Sequence, residues 1–442
     1  MVTNPLFSLV ELRKEGIPAG IPSYCTANPI VIEACLQQAK RFGDAILIEG
    51  TSNQVNQFGG YTGMKPADYR DFVYAIADRI GFDRSKIILG GDHLGPQPFQ
   101  NLPAETAIPY AKEMVRQYVL AGYTKIHLDT SMRVADDDKN VRLSDEIIAT
   151  RGAILMKVAE EAYQELLKTN PDAMHPVFII GSEVPIPGGA QKKEEMEVTK
   201  ASDFENTLEA YKAIFKKEGL DNLWKYVIAV VVQPGVEFAD ADVHMYNPSE
   251  AKELCAALRK HPEVVFEGHS TDYQSPDALR NMVQDGVGIL KVGPALTFAA
   301  REALFALAHI EDEIIKDPAK RSNYIQVVEQ VMVEDPKNWQ KYYKGTELQI
   351  ELKRKYSYSD RSRYYMGDER IDKAMNTLFE NLKDAEIPTG MLHQYMPVQY
   401  IKVRDGKLPM CPRALVLDAV RIICDDYNYA TRPNYVIGGL WA

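Results

Sequence analysis

The chain of 442 residues is short of several things. Its five cysteines, Cys25, Cys35, Cys255, Cys411 and Cys424, are scattered and odd in number, with no CxxC pair and no zinc-finger spacing. That argues against a disulfide framework and reads as a reduced, cytoplasmic chain. No apolar run reaches transmembrane length, and the opening MVTNPLFSLVELRKEG lacks the core of a secretion signal. Basic charge is short as well. The balance is 51 Lys+Arg against 62 Asp+Glu, a net charge of −11, with a pI near 5.4. This argues against non-specific binding to nucleic acid or to an anionic membrane, while an anionic small substrate in a local cationic pocket stays open. There is no low-complexity tract, no flexible linker and no repeat beyond a βα rhythm.

What is present is that rhythm. Hydrophobic residues make up 45% of the chain and charged ones 26%, and the length suits an α/β barrel of ~250 residues plus ~150 more. Eight short apolar runs read as strands: Ile21–Thr26, Ala45–Gly50, Ile87–His93, Lys125–Ser131, Val177–Glu183, Val227–Gln233, Val264–His269 and Gly288–Gly293. Between them lie helical stretches such as Pro29–Phe42, Pro66–Ile80, Ala104–Ala121, Asp145–Thr169, Asp203–Gly219, Pro248–Lys260 and Ser275–Asp285, several opening on a capping residue or proline. Eight strands alternating with helices predict a (β/α)8 TIM barrel over residues 1–317, its eighth helix formed by LTFAAREALFALAHIEDEIIK. From about residue 318 to 442 the rhythm stops, and Tyr324–Val333, Ile371–Leu382 and Leu415–Tyr427 predict a helical C-terminal extension packed on the barrel.

The strand tips carry the chemistry. In order they are Cys25 and Thr26, Glu49, Asp92 with His93, Asp129, Glu183, Gln233, His269 and Lys291. Active sites of such barrels lie at that face. In IILGGDHLGP the Asp–His pair reads either as a cap and a loop histidine or as a general base beside a metal ligand. Seven polar tips meeting at one mouth favour the second reading, because unpaired buried charge is costly. His93, Glu183 and His269 then form a candidate divalent-metal site, with zinc first and manganese or a similar ion next. His127 reads as a satisfied core histidine, and Asp129 as a ligand-binding residue or one that orients His93. The remaining histidines read as structural or surface residues.

Loops add candidate contacts. Gly188–Gly189 in EVPIPGGA let backbone pass close to a ligand or serve a tight turn. Asn53 and Gln54 offer amides to sugar hydroxyls, or hydrogen-bond only their own loop. Two places suit phosphate: Lys291 with the helix start after Gly293, and Ser359, Arg361 and Arg363 in YSYSDRSRYY.

Together TSNQVNQFGGYTGM, GGDHLGP, KIHLDTSM, EVPIPGGA, VVQPGVEF, HSTDYQ with LKVGPALTFAAREALFAL, and SDRSRYY resemble the GatZ/KbaZ family of tagatose-1,6-bisphosphate aldolase subunits. The motifs run from about residue 20 to 400. The resemblance implies a barrel related to metal-dependent class II aldolases, with Asp92 as catalytic aspartate, His93 and His269 as metal histidines, and Glu183 as the acidic residue before a glycine pair. The middle metal histidine is expected near the end of strand six, where this chain has Gln233. Either Gln233 ligates through its amide oxygen or Glu183 replaces the missing ligand. The chemistry implied is aldol cleavage and re-formation at C3–C4 of a ketohexose or its phosphate, yielding C4 epimerisation between fructose and tagatose forms. The alternative is a non-catalytic subunit that stabilises a class II aldolase chain. A homo-oligomer is expected.

Overall fold

The computed structural model describes residues 3–182 and 197–432. Ten strands are present among them: β1 Ile21–Cys25, β2 Ile46–Thr51, β3 Ile87–Leu94, β4 Lys125–Leu128, β5 Val177–Ile180, β6 Val227–Val232, β7 Glu237–Phe238, β8 Val243–His244, β9 Val265–Gly268 and β10 Val287–Val292. Strands β7 and β8 form a small antiparallel hairpin after β6, absent from the sequence reading. The other eight close into a parallel barrel, each beside its neighbour in sequence, with β10 pairing β1. The expected (β/α)8 barrel is what the chain forms.

Each barrel strand splits its residues by twos. Ile46 and Ile48 of β2, Leu89 of β3, Phe266 of β9 and Leu290 of β10 face outward into the layer shared with the helices. Leu47, Ile88, Val265 and Ile289 face inward and fill the lower half of the barrel. The period of two then puts Glu49, Asp92, Glu267 and Lys291 inward in the upper half. Below, Leu6, Leu9 and Val10 of the helix Phe7–Lys14 and its entry join the inner apolar cluster and plug the floor. Burying each such side chain stabilises the fold by about 1.5–3 kcal/mol.

Local chemistry sets the helix starts. Asn28 accepts from the N–H groups of Ile30 and Val31, and Ser275 accepts from Ala278. Both caps precede a proline at the first helical position, where no N–H is needed.

The extension consists of helices Tyr324–Glu334, Glu347–Tyr356, Glu369–Lys383, Thr389–Tyr395, Pro397–Arg404 and Pro412–Thr431. The last of these packs on three barrel helices, Pro29–Phe42, Pro276–Gln284 and Pro294–Ile314. Its Tyr427 hydroxyl lies 2.8 Å from the carbonyl oxygen of Thr271, in the loop after β9. The turn Arg361–Tyr365 is pinned from the barrel side: buried Asp360 takes 2.7 and 2.6 Å bonds from Arg301 Nε and Thr297 Oγ1. Among the described residues no helix is long and apolar enough to cross a membrane.

Candidate active site

The upper barrel holds an ionic network under a small chamber. Lys125, fully buried, reaches Glu49 Oε1 at 2.9 Å and Glu267 Oε2 at 2.7 Å. Lys291 reaches Glu49 Oε2 at 3.0 Å and Asp92 Oδ1 at 2.8 Å. Two ammonium groups thus meet three carboxylates, so these charges are buried with partners. Gly90 makes room for this layer, because a Cβ there would sit 2.5 Å from Glu49 Cγ.

Asp92 and His93 both line the chamber although they are adjacent on a strand. The backbone explains it: His93 has φ of 52°, a left-handed turn that swings its ring to the same side as Asp92. Non-glycine residues hold this conformation only where the surroundings enforce it, and such sites are frequently functional. The next turn is equally constrained, since a Cβ on Gly95 would lie 1.5 Å from the Asp129 carbonyl oxygen.

Three imidazoles converge here. The His93 and His269 ring centroids are 4.9 Å apart, His93 and His127 5.2 Å, His127 and His269 5.3 Å. His93 Nδ1 is 2.8 Å from Asp129 Oδ2, which fixes the ring, and its Nε2 is 3.6 Å from Asp92 Oδ2. His127 Nδ1 lies 2.8 Å from Asp92 Oδ1, and His269 Nε2 lies 2.9 Å from Glu267 Oε1. His127 Nε2 is buried with no hydrogen-bond partner. His127 Nδ1 is approached from a second side by the backbone N–H of His93, which donates to it at 3.2 Å.

Burial and partners pull these groups apart electrostatically. Burial alone raises Asp92, but His93, Lys291 and His127 outweigh it and hold the carboxyl well below its usual range. Burial lowers His93, yet Asp92 and Asp129 win and raise it. His269 falls to about 4 through burial, so it stays neutral at ordinary pH. Asp129 is lowered to about 2 despite burial, through its bond to His93.

Asp92, His127, Glu267 and His269 each offer one ligand atom, all within 4.8 Å of one another. Two imidazole nitrogens and two carboxylate oxygens are a donor set that suits a divalent ion such as zinc or manganese. This set differs from the expected one. Of the expected ligands that lie among the described residues, His93, His269 and Gln233, His269 belongs to it and the other two do not. Glu183, with Gly188 and Gly189, lies outside the described residues. The Gln233 side-chain oxygen accepts instead from the N–H groups of Gly235 and Val236, both at 2.9 Å, and caps its own loop beside a separate hollow lined by Ser131 and Ser182.

The chamber measures about 90 Å³ and is lined also by Asn53, Gln54, Lys291 and Arg363. Gln54, Tyr61, Arg363 and Tyr364 are shared with an outer hollow of about 1020 Å³. The Tyr61 and Tyr364 rings meet edge to face at 4.7 Å between the two spaces. Ser359 and Arg361 are not brought there. Ser359 bonds Tyr343 and Ser357. Arg361 stacks on Tyr342 and donates to the Asn338 carbonyl oxygen at 3.1 Å. The Tyr342 ring thus draws Arg361 away from the chamber where a phosphate contact was expected of it.

Residues 6–432 match the D-tagatose-1,6-bisphosphate aldolase subunit GatZ/KbaZ-like family. The chain belongs to this family. It is similar to the crystal structure of a probable tagatose 6 phosphate kinase from Sinorhizobium meliloti 1021, at 44% identity and TM-score 0.84, over 93% of this chain and 100% of that one. Two aldolases match far more loosely. The YdjI aldolase from Escherichia coli K12 has TM-score 0.41 and 10% identity, over 83% of this chain and 96% of that one. The fructose-bisphosphate aldolase (Fba) from Campylobacter jejuni has TM-score 0.42 and 13% identity, over 85% and 92%.

In this family member His127, read from sequence as a core histidine, and Glu267, not singled out at all, join the ligand cluster. Glu267 stands two residues before His269 in VVFEGH, hence on the same inward face, a signal that was available.

Proposed function

We propose that this chain epimerises C4 of a ketohexose or ketohexose phosphate, interconverting fructose and tagatose forms by retro-aldol cleavage and re-addition. The observation that carries the reading is the enclosed meeting of Asp92, three imidazoles and Lys291. Asp92, His127, Glu267 and His269 would hold a divalent ion, zinc first, which would supply Lewis-acid polarisation of the ketose carbonyl.

The chain's own groups do the rest. The C4 hydroxyl gives its proton to the Asp92 carboxylate, with the His93 imidazole standing beside it, Nε2 to Oδ2 3.6 Å. As that oxygen becomes an aldehyde, the C3–C4 bond breaks and its electron pair moves onto the C2–C3 enediolate. The Lys291 ammonium stabilises that developing charge in a water-poor site. The aldehyde turns over, C3 attacks its other face, and the proton returns to the C4 oxygen. Asp129 is a positioning residue that holds His93. Asn53 and Gln54 take sugar hydroxyls, and Arg363 with Tyr61 and Tyr364 closes the outlet, so the aldehyde is retained rather than released.

Purified protein supplied with zinc or manganese and with fructose or fructose 6-phosphate should form the matching tagatose compound. No turnover with either sugar under any metal sinks the reading. A second role, stabilising a separate catalytic aldolase chain, is favoured by the family's description as an aldolase subunit and by Gln233 serving its own loop. It predicts a complex that survives co-purification and no turnover by this chain alone.

A further inference from the structure

The two C4 epimers of a ketohexose differ in where the C4 hydroxyl points once C2 and C3 are held. Asp92 is fixed by His127 Nδ1 at 2.8 Å and by the Lys291 ammonium at 2.8 Å, so it meets that hydroxyl in one of its two directions. Epimerisation through an aldehyde that turns over therefore calls for a second group able to take and give a proton. Most of the other titratable groups lining the chamber are unsuited. Burial raises the Cys25 thiol and the Tyr61 phenol. Burial lowers Lys291, but Asp92, Cys25 and Glu49 outweigh it and hold the ammonium charged. Asp272 caps the helix Pro294–Ile314, accepting from Gly293 N at 3.0 Å and Ala295 N at 2.8 Å.

Tyr364 differs. It is half-buried in the turn Arg361–Tyr365 of the extension and lines the same chamber as Asp92, His93 and Lys291. Arg363 Nη2 donates to its Oη at 3.0 Å, and the Arg363 and Arg361 guanidinium carbons lie 4.4 and 5.8 Å from its ring. A guanidinium only donates, so the phenol oxygen is the acceptor and its own hydrogen is left for another partner. Burial raises this phenol, but the charges of Arg363 and Arg361 outweigh it and bring it below its usual range. Tyr61, whose ring it meets at 4.7 Å, moves the opposite way. The phenol is also firmly placed. Arg363 donates to the Asp360 carbonyl oxygen at 3.1 Å, and the Asp360 carboxylate is tied to Arg301 and Thr297 of the barrel.

We infer that Tyr364 is a catalytic residue that takes and gives the C4 hydroxyl proton for one of the two epimers, with Asp92 doing so for the other. The inference rests on the epimerase reading above and adds to it a second acid–base group, supplied by the extension. In one direction the C4 hydroxyl proton passes to Asp92 and the C3–C4 bond breaks. After the aldehyde turns, the enediolate electron pair forms the new C3–C4 bond. The carbonyl π pair moves onto the C4 oxygen, which takes the Tyr364 proton. The phenolate left behind lies against Arg363, and water entering between turnovers carries the Asp92 proton to it. The reverse reaction exchanges the two roles.

The test reads the two half-reactions separately, with the metal-loaded chain, fructose and tagatose or their 6-phosphates, and hydrazine to capture the aldehyde. Tyr364→Phe keeps the ring against Tyr61 and removes only the hydroxyl. Its kcat for epimerisation should fall about 100-fold in both directions, with KM within about threefold. Aldehyde capture should fall by a similar factor from one epimer and stay within about threefold from the other. A packing role would lower both alike. Tyr364→His, which restores a proton-transfer group, should recover part of the lost cleavage, and it serves if the phenylalanine variant does not fold. Epimerisation by Tyr364→Phe within about threefold of native, or equal loss of cleavage from both epimers, overturns the inference and leaves the epimerase reading standing. So does epimer-selective loss in Asp272→Asn with none in Tyr364→Phe. If the native chain cleaves neither epimer, the epimerase reading fails and the inference falls with it.

Discussion

The lower and upper halves of this barrel are built on the same strands, two residues apart, yet they are held together by opposite means. Below, Leu47, Ile88, Val177, Val265 and Ile289 pack with Leu6, Leu9 and Val10 from the entering helix. Above, Glu49, Asp92, Glu267 and Lys291 follow on the inward face, with Lys125 and His127 from β4 between them. The floor gains stability by excluding water from apolar surface. The upper half spends it: buried ion pairs roughly break even against apolar replacements, but losing one partner is costly. A barrel that only needed to fold would continue the floor's chemistry upward. The contrast therefore marks the half of the barrel whose residues stability alone does not account for.

Substitutions that break the contrast should differ in size and in readout. The largest effect is expected from Lys125→Met, which takes from Glu267 its closest ammonium and leaves Glu49 with Lys291 alone, and should cost about 3–5 kcal/mol in denaturant unfolding. Adding Glu267→Gln to that variant should recover part of the loss; no recovery would mean that Lys125 acts by packing rather than charge. On the floor, Leu9→Ala should cost about 3 kcal/mol through cavity formation and leave catalytic constants of the folded protein unchanged. A change in kcat there would show that the two halves are not independent.

Asp129→Asn sharpens the chemistry of the upper half. It keeps an oxygen for His93 but removes the charge that helps to raise that imidazole. Turnover should fall about 10–100-fold, and the limb of the pH profile that reports His93 should move to lower pH, with folding stability much less affected. An unmoved profile would reduce Asp129 to a packing role.

The smallest effect concerns the extension. Asp426, on the helix Pro412–Thr431, is pushed up to about 7, first by burial and then by Asp425. The folded chain therefore holds a proton that the unfolded chain releases near pH 4, so this group favours the fold at low pH. That contribution is lost as pH rises from about 4 through 7. Asp426→Asn should match the parent at pH 4 and exceed it at pH 8 by on the order of 2 kcal/mol, allowing for partial solvent screening. Equal stabilities at both pH values would place Asp426 in water.

The strand tips were legible because a parallel barrel strand is apolar along most of its length, so a polar residue at its end stands out. Asp92, His93, His269, Lys291, Asn53, Gln54 and Arg363 do line one chamber. His127 was harder to read, because on a strand buried on both faces nothing local tells which of two alternating faces looks inward; for Glu267 the local sign was its spacing of two from His269. The tight turn at His93 was legible only as a possibility, since its positive φ depends on how β3 meets Asp129 and His127.

By itself the amino-acid order determined eight strands, their helices, a helical extension and a mouth lined with acids and imidazoles. These follow from local hydrophobic period, capping and turn residues, which act over a few neighbours. Only the closed barrel decided that His127 and Glu267, not Gln233, meet His269. It likewise decided that Asp272 caps the helix after β10, and that Arg361 turns into the extension while Arg363 reaches the chamber. Those outcomes depend on distances between segments far apart in sequence, fixed when strand register, loop path and docking of the extension are settled together.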